Sequence, residues 1–113
     1  MTRTTRSAVV TEPGEVELRE LDLPDIGDDE AILELELTSV CGADPKVYKG
    51  EFRPEVLPAV LGHEIVGRID EIGATASENY GVEAGDRVVV DQLRRCGSCR
   101  QCIAGRYNHC ERG

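Results

Sequence analysis

Short alternations of apolar and polar residues, separated by turn residues, run along this chain, and no stretch carries a sustained helical period. Ser7 to Val10 leads into Pro13-Gly14, and Glu15 to Leu21 then alternates polar with apolar, which predicts two strands joined as a hairpin. Glu30 to Val40 puts Ala31, Leu33, Leu35 and Leu37 on one face and Ile32, Glu34 and Glu36 on the other. That pattern predicts a strand covered mainly on one side, delivering Cys41 at its end. Asp44 to Gly50 has room for a helical turn or two, and Phe52 to Pro58, broken by two prolines, reads as loop. A β-branched strand with interspersed glycines is expected over Leu61 to Ile72, and Gly85-Asp86-Arg87 turns into Val88-Val89-Val90. No internal repeat or flexible linker is visible. The sum is a mainly β, small-barrel architecture with short helices and a cysteine-rich lobe at about residues 91–113.

Length and charge narrow the function classes. A chain of 113 residues is one domain with a modest core, short for an enzyme that must also bind a dinucleotide. The formal charge of −9, with acidic residues spread throughout, argues against nucleic acid and anionic membrane surfaces as partners. No run approaches transmembrane length. The basic start, Met1-Thr2-Arg3-Thr4-Thr5-Arg6, runs into a strand-like stretch without an apolar region, so no signal peptide is expected. The cytoplasm, where thiols stay reduced and bind metal, fits this composition.

Cys96, Cys99, Cys102 and Cys110 have the spacing C-x2-C-x2-C-x7-C, which lets four thiolates converge tetrahedrally on one zinc ion. Such a closed shell leaves no position for water or substrate, so this metal would be structural. Two overlapping C-x-x-C pairs also match a redox dithiol, but a dithiol does not explain the third and fourth cysteines. A disulfide framework would leave one of the five thiols unpaired. Arg94, Arg95, Arg100, Arg106 and Arg112 give a nucleic-acid zinc ribbon some support, though they also offset the negative charge of a zinc bound by four thiolates. His109 is read as a bystander to Cys110. The remaining cysteine, Cys41, in Cys41-Gly42-Ala43-Asp44, together with Gly62-His63-Glu64, supplies a thiolate and an imidazole able to start a separate, open metal site.

In this order, Cys41-Gly42-x-Asp44, Gly62-His63-Glu64 followed by Gly67, Gly85-Asp86-Arg87-Val88 and the four-cysteine lobe resemble the N-terminal catalytic domain of the zinc-dependent medium-chain alcohol dehydrogenases. The resemblance spans nearly the whole chain. It implies a GroES-like, partly open β-barrel over residues 1–113 and, in the longer family members, a following Rossmann domain that binds NAD or NADP. No G-x-G-x-x-G turn between strand and helix occurs here, so the Rossmann domain is expected to be absent and the fragment alone inactive. By resemblance, Cys41 and His63 are ligands of a catalytic zinc, Glu64 is a carboxylate beside that metal, and Asp44 fixes the tautomer of His63. The implied reaction interconverts an alcohol or polyol and its carbonyl, zinc acting as Lewis acid and the nicotinamide exchanging hydride. A small-molecule alcohol or carbonyl is the implied partner, and a homo-oligomer is compatible with the family.

Two departures qualify this expectation. Many members carry serine or threonine two residues after the first zinc ligand and histidine three residues further on, forming a proton relay; here Ala43 and Lys46 stand there. Alanine neither donates nor accepts a proton. A further ligand for the catalytic zinc lies beyond the lobe in the family, so the open site is expected to bind zinc weakly or remain empty. Asp44 also reads as a helix N-cap. The alternative function is a non-catalytic zinc-binding or protein-interaction module with the same fold; a co-chaperonin rests on fold analogy alone.

Overall fold

A β-rich chain must pair its strands, and here it does so in two separate three-stranded sheets. The computed structural model describes residues 3–113; Met1 and Thr2, which open the basic start, lie outside the described residues. In the first sheet, β1 (Thr4–Glu12) pairs antiparallel with β2 (Glu15–Asp22) and with the two-residue β4 (Ala59–Val60). In the second, β5 (Glu64–Ile72) lies between β3 (Ala31–Ser39) and β6 (Arg87–Val89), again antiparallel. The two sheets do not close into one another among the described residues, in keeping with the partly open barrel expected.

The hairpin is the predicted one: Gly14 takes φ +83 in the turn between β1 and β2, a backbone that glycine adopts without strain. That turn also carries the next element. Helix α1 (Ala43–Tyr48) is tied to it from both directions, Gly14 N donating to the Tyr48 carbonyl at 2.8 Å and the Tyr48 hydroxyl donating to the Gly14 carbonyl at 2.7 Å. Val47 is the buried residue of α1. The helix that follows Cys41 is therefore fixed against the first sheet, although Cys41 arrives from the second.

Four expectations need correction. The strand anticipated over Leu61 to Ile72 is shorter than expected: β5 begins only at Glu64, and Leu61 to His63 cross to it from β4, which belongs to the first sheet. A glycine at φ +108, Gly62, makes this crossing, and an extended strand cannot continue through such a residue. The loop of Phe52 to Pro58 contains a 3-10 turn, Pro54–Val56. A helix that the alternation pattern did not reveal, α2 (Ala74–Tyr80), is bounded by Gly73 and by Gly81 in the left-handed region at its C-terminus. It is seated by carbonyls of the loop before β3, Gly73 N donating to Glu30 O and Ala76 N to Asp28 O, each at 2.9 Å.

The fourth correction concerns β3. Its apolar face is covered only in part, because Leu35 and Leu37 remain 55% and 65% exposed. Register irregularities between Ile32 and Leu33 and between Leu35 and Leu37 interrupt the alternation that the sequence implies. Glu36 falls at the second irregularity and reaches two arginines of the neighbouring strands, Arg68 Nε at 3.1 Å and Arg87 Nε at 2.7 Å. All three side chains keep contact with water, so the pairs are expected to contribute little. Glu36→Ala should cost about 0.5–1 kcal/mol in a urea titration, shrinking toward zero in about 1 M salt. A loss indifferent to salt would mean that Glu36 acts through the bulge geometry.

The buried hydrophobic set is small among the described residues: Val9, Val10, Val47, Ile69, Ala76, Cys99 and Cys102. Two of these seven are lobe cysteines. Sulfur, not hydrocarbon, therefore forms the interior of the segment after β6, where α3 (Arg100–Ile103) and a 3-10 turn (Tyr107–His109) are the only regular structure. No helix among the described residues is long and apolar enough to cross a membrane.

Candidate functional site

Two groups of metal-ligating side chains form, and each draws on the residues the sequence singles out. In the lobe, one ligand atom from each of Cys96, Cys99, Cys102 and Cys110 lies within 4.8 Å of all the others. The Cys96 and Cys102 sulfurs are 4.0 Å apart, close to the spacing of about 3.8 Å that Zn–S bonds of about 2.3 Å give along a tetrahedral edge. Backbone N–H groups point at these sulfurs: Cys99 N donates to Cys96 Sγ at 3.3 Å, Cys102 N to Cys99 Sγ at 3.4 Å, and Cys96 N to Cys110 Sγ at 3.3 Å. Arg112 N also donates to Cys110 Sγ, at 3.4 Å.

Those donors and burial pull the thiols in opposite directions. Backbone hydrogen bonds from Ser98 and Cys99 bring Cys96 down to about 6, and bonds from Glu111 and Cys102 lower Cys99. Burial pushes Cys102 up to about 11. A buried sulfur that resists ionising, grouped within ligand distance of three other cysteines and of backbone donors that favour the ionised form of Cys96 and Cys99, is a donor set that a divalent cation balances, so these residues fit zinc. Two of the five arginines have partners of their own: Arg95 stacks over the Tyr107 ring at 4.5 Å, and Arg112 Nη1 donates to Ser98 Oγ at 3.4 Å. His109 is exposed in the last 3-10 turn.

The second group joins the two ends of the β3–β5 pair. Cys41 follows β3 by two residues, His63 precedes β5 and Glu64 begins it, and their ligand atoms lie within 4.8 Å of one another. Cys41 and His63 are half-buried and Glu64 is exposed, so the group stands at the surface with one side open. Gly62 supports it through its positive φ, which turns the chain so that His63 enters the cluster.

Asp44 is where the sequence placed it, beside His63, with Oδ1 3.7 Å from Nδ1. That spacing exceeds a hydrogen bond. Its other oxygen, Oδ2, accepts from Cys41 N at 2.8 Å, so one carboxylate orients the segments that carry both ligands. The N-cap reading of Asp44 is corrected: Gly42 holds that position and Asp44 lies in the first turn of α1. With Nδ1 facing Asp44, Nε2 is the nitrogen left for a metal. The donor set is one thiolate, one imidazole and one carboxylate, a combination that suits zinc with an open position. Ala43 is half-buried and Lys46 is exposed, and no hydroxyl is available at either.

Two site residues were not singled out in the sequence. Ser39, the last residue of β3, donates its hydroxyl to Glu64 Oε2. Thr38 Oγ1 would lie 3.1 Å from a Cβ at Gly62, which narrows that position further. Both relations arise from strand register, and a serine in an alternating strand gives no local sign of its partner.

The fold has counterparts among known proteins. The alcohol dehydrogenase GroES-like domain family matches residues 27–113. This chain belongs to that family. It is 38% identical over 106 residues to a zinc-type alcohol dehydrogenase-like protein of Haemophilus influenzae, covering 94% of this chain and 30% of that protein. It is 33% identical over 107 residues to the sorbitol dehydrogenase of Bombyx mori, covering 92% of this chain and 30% of the relative. Among solved structures, the cobalt- and zinc-bound thermostable alcohol dehydrogenase from Pyrobaculum aerophilum superimposes with a TM-score of 0.84 at 32% identity, over 96% of this chain and 33% of that one. The GroES-like chain thus spans about three tenths of the length of the curated relatives it matches.

Proposed function

We propose that this GroES-like domain carries the zinc-binding half of an oxidoreductase that interconverts an alcohol or polyol and its carbonyl with NAD or NADP. The observation that supports this most is the meeting of Cys41, His63 and Glu64 at an open surface, with Asp44 between the two segments that deliver the first two. Zinc held there would supply Lewis acidity toward a hydroxyl or carbonyl oxygen, and the nicotinamide would exchange hydride. The chain's own residues do the rest. Cys41 and His63 hold the metal, Asp44 keeps the imidazole turned with Nε2 outward, and the open side admits a small molecule. Cys96, Cys99, Cys102 and Cys110 hold a second, structural zinc.

The domain runs over residues 1–113, and no dinucleotide-binding turn occurs within it. Hydride transfer therefore requires a nucleotide-binding part from elsewhere, and the isolated chain is expected to be inactive. With Ala43 in the hydroxyl position, protons leave by a route other than a side-chain relay through that residue. The same substitution favours a second reading, a zinc-binding module without catalysis. Five free thiols require a reducing compartment, which supports the cytoplasm as its location.

Zinc uptake tests the site directly. Protein purified without added metal should hold the lobe zinc and take up a second equivalent only from added zinc. His63→Ala should abolish that second equivalent, and Asp44→Asn should weaken it about 10- to 100-fold. Undiminished second-site binding in His63→Ala would overturn the assignment. Once zinc is bound, a cobalt-substituted site whose spectrum ignores added alcohols and aldehydes would favour the non-catalytic module.

A further inference from the structure

The pairing of β3 with β5 sets a hydroxyl behind one member of the open cluster. Ser39 and Glu64 are direct cross-strand partners, and the Ser39 hydroxyl donates to Glu64 Oε2. We propose that Ser39 is a positioning residue that fixes Glu64 as the third protein ligand of the open site. The proposal rests on the reading of Cys41 and His63 as metal ligands.

Several observations favour this role. Glu64 is exposed, and among the described residues no cation pairs with it, so little else restrains a long, flexible side chain. An unrestrained glutamate would sample many rotamers and meet a metal only part of the time. Ser39 removes that freedom before any metal arrives. A carboxylate has two oxygens, so the one engaged by Ser39 leaves the other for a cation. The neighbouring hydroxyl does not compete, because Thr38 Oγ1 donates to the Ser39 carbonyl at 3.4 Å. Ser39 also stands two residues before Cys41, so the same end of β3 delivers the thiolate and aims the carboxylate. The consequence is a site with three ligands from this domain alone, able to hold metal without a further protein ligand.

Cobalt(II) titrated into the full chain, its lobe already filled with zinc, reads this by affinity and by d–d absorption. Ser39→Ala should weaken binding about tenfold and shift the bands as the carboxylate is lost, and Ser39→Thr should restore both. In a Glu64→Gln background, Ser39→Ala should add no further loss, since the two act as one unit. Unchanged affinity and spectrum in Ser39→Ala, or an equal loss in both backgrounds, would overturn the proposal. Cys41→Ser separates the two levels: cobalt binding that survives it sinks the metal-site reading itself. Binding that vanishes in Cys41→Ser yet ignores Ser39→Ala sinks only the positioning role.

Discussion

Cys99→Ser is expected to strip the lobe of its metal and to unfold residues 96 to 112 while the two sheets stay folded. The substitution is close to isosteric, and serine is a good helix N-cap. That matters because Cys99 is the N-cap of α3, its side chain accepting from Cys102 N. The capping role survives in the variant, and what is lost is one thiolate of four. Structural zinc sites bind with about 10–16 kcal/mol at neutral pH, and in small metal-bound units that energy is the folding energy. Little else holds this segment. Its buried residues are Cys99 and Cys102, α3 has only four residues, and a helix so short has no stability of its own. Elemental analysis should show one zinc fewer per chain than the parent protein. Trypsin should then cut rapidly after Arg100 and Arg106, and amide resonances of the lobe should collapse to random-coil positions. His63→Ala, by contrast, should leave lobe zinc and proteolysis unchanged. Retention of lobe zinc in Cys99→Ser would show that Cys99 is not a required ligand, and absence of zinc from the parent protein would return the C-x-x-C pairs to a redox interpretation.

Gly67→Ala is expected to be the most damaging single change in the sheets, at about 2–3 kcal/mol or more. Gly67 sits in the middle strand of the second sheet, opposite Leu35 of β3 and Val88 of β6. A Cβ there would strike the Glu34 carbonyl oxygen, with the carbonyl carbon at 3.1 Å and Leu33 Cγ at 3.0 Å. Backbone cannot swing aside as a flexible side chain can, and β5 is hydrogen-bonded on both edges, so relief on one side disrupts pairing on the other. The same shift would part Ser39 from Glu64 at the strand ends, weakening the open site as well. Urea denaturation should show a lower midpoint with an unchanged slope. Gly42→Ala is the control. Gly42 has φ −59 and nothing within 4 Å of a Cβ, so stability should be unchanged or raised by about 0.4–1 kcal/mol through a stiffer unfolded chain. If Gly67→Ala matches the parent protein, β3 and β5 do not approach as closely as described.

These two results bear on different layers of the molecule. The lobe is local: its four cysteines fall within fifteen residues, from Cys96 to Cys110, close enough for one metal to organise them with little help from the sheets. The open site is non-local. Cys41 and His63 are far apart along the chain, and their meeting depends on β3 and β5 lying antiparallel in one register. A fault in the sheet therefore reaches the open site, whereas a fault in the lobe stays in the lobe.

The sequence by itself determined the hairpin at Pro13-Gly14, helix α1 after Cys41, the grouping of the four lobe cysteines and that of Cys41, His63 and Glu64 with Asp44 beside them. These were legible because each rests on short-range physics: turn residues need particular φ values, and a chelating lobe needs close cysteine spacing. Tertiary structure alone decided that β5 starts at Glu64 and that Leu61 to His63 cross to it from the first sheet, since only pairing partners mark where a strand begins. It also decided that Leu35 and Leu37 stay largely exposed, because bulges in β3 break an alternation that the residue order shows as regular. Helix α2 lacked a periodic apolar face and was stabilised by carbonyls from a distant loop. Ser39 belongs to the same class. Its link to Glu64 spans twenty-five residues, and such a link exists only once register has set which residues stand opposite each other.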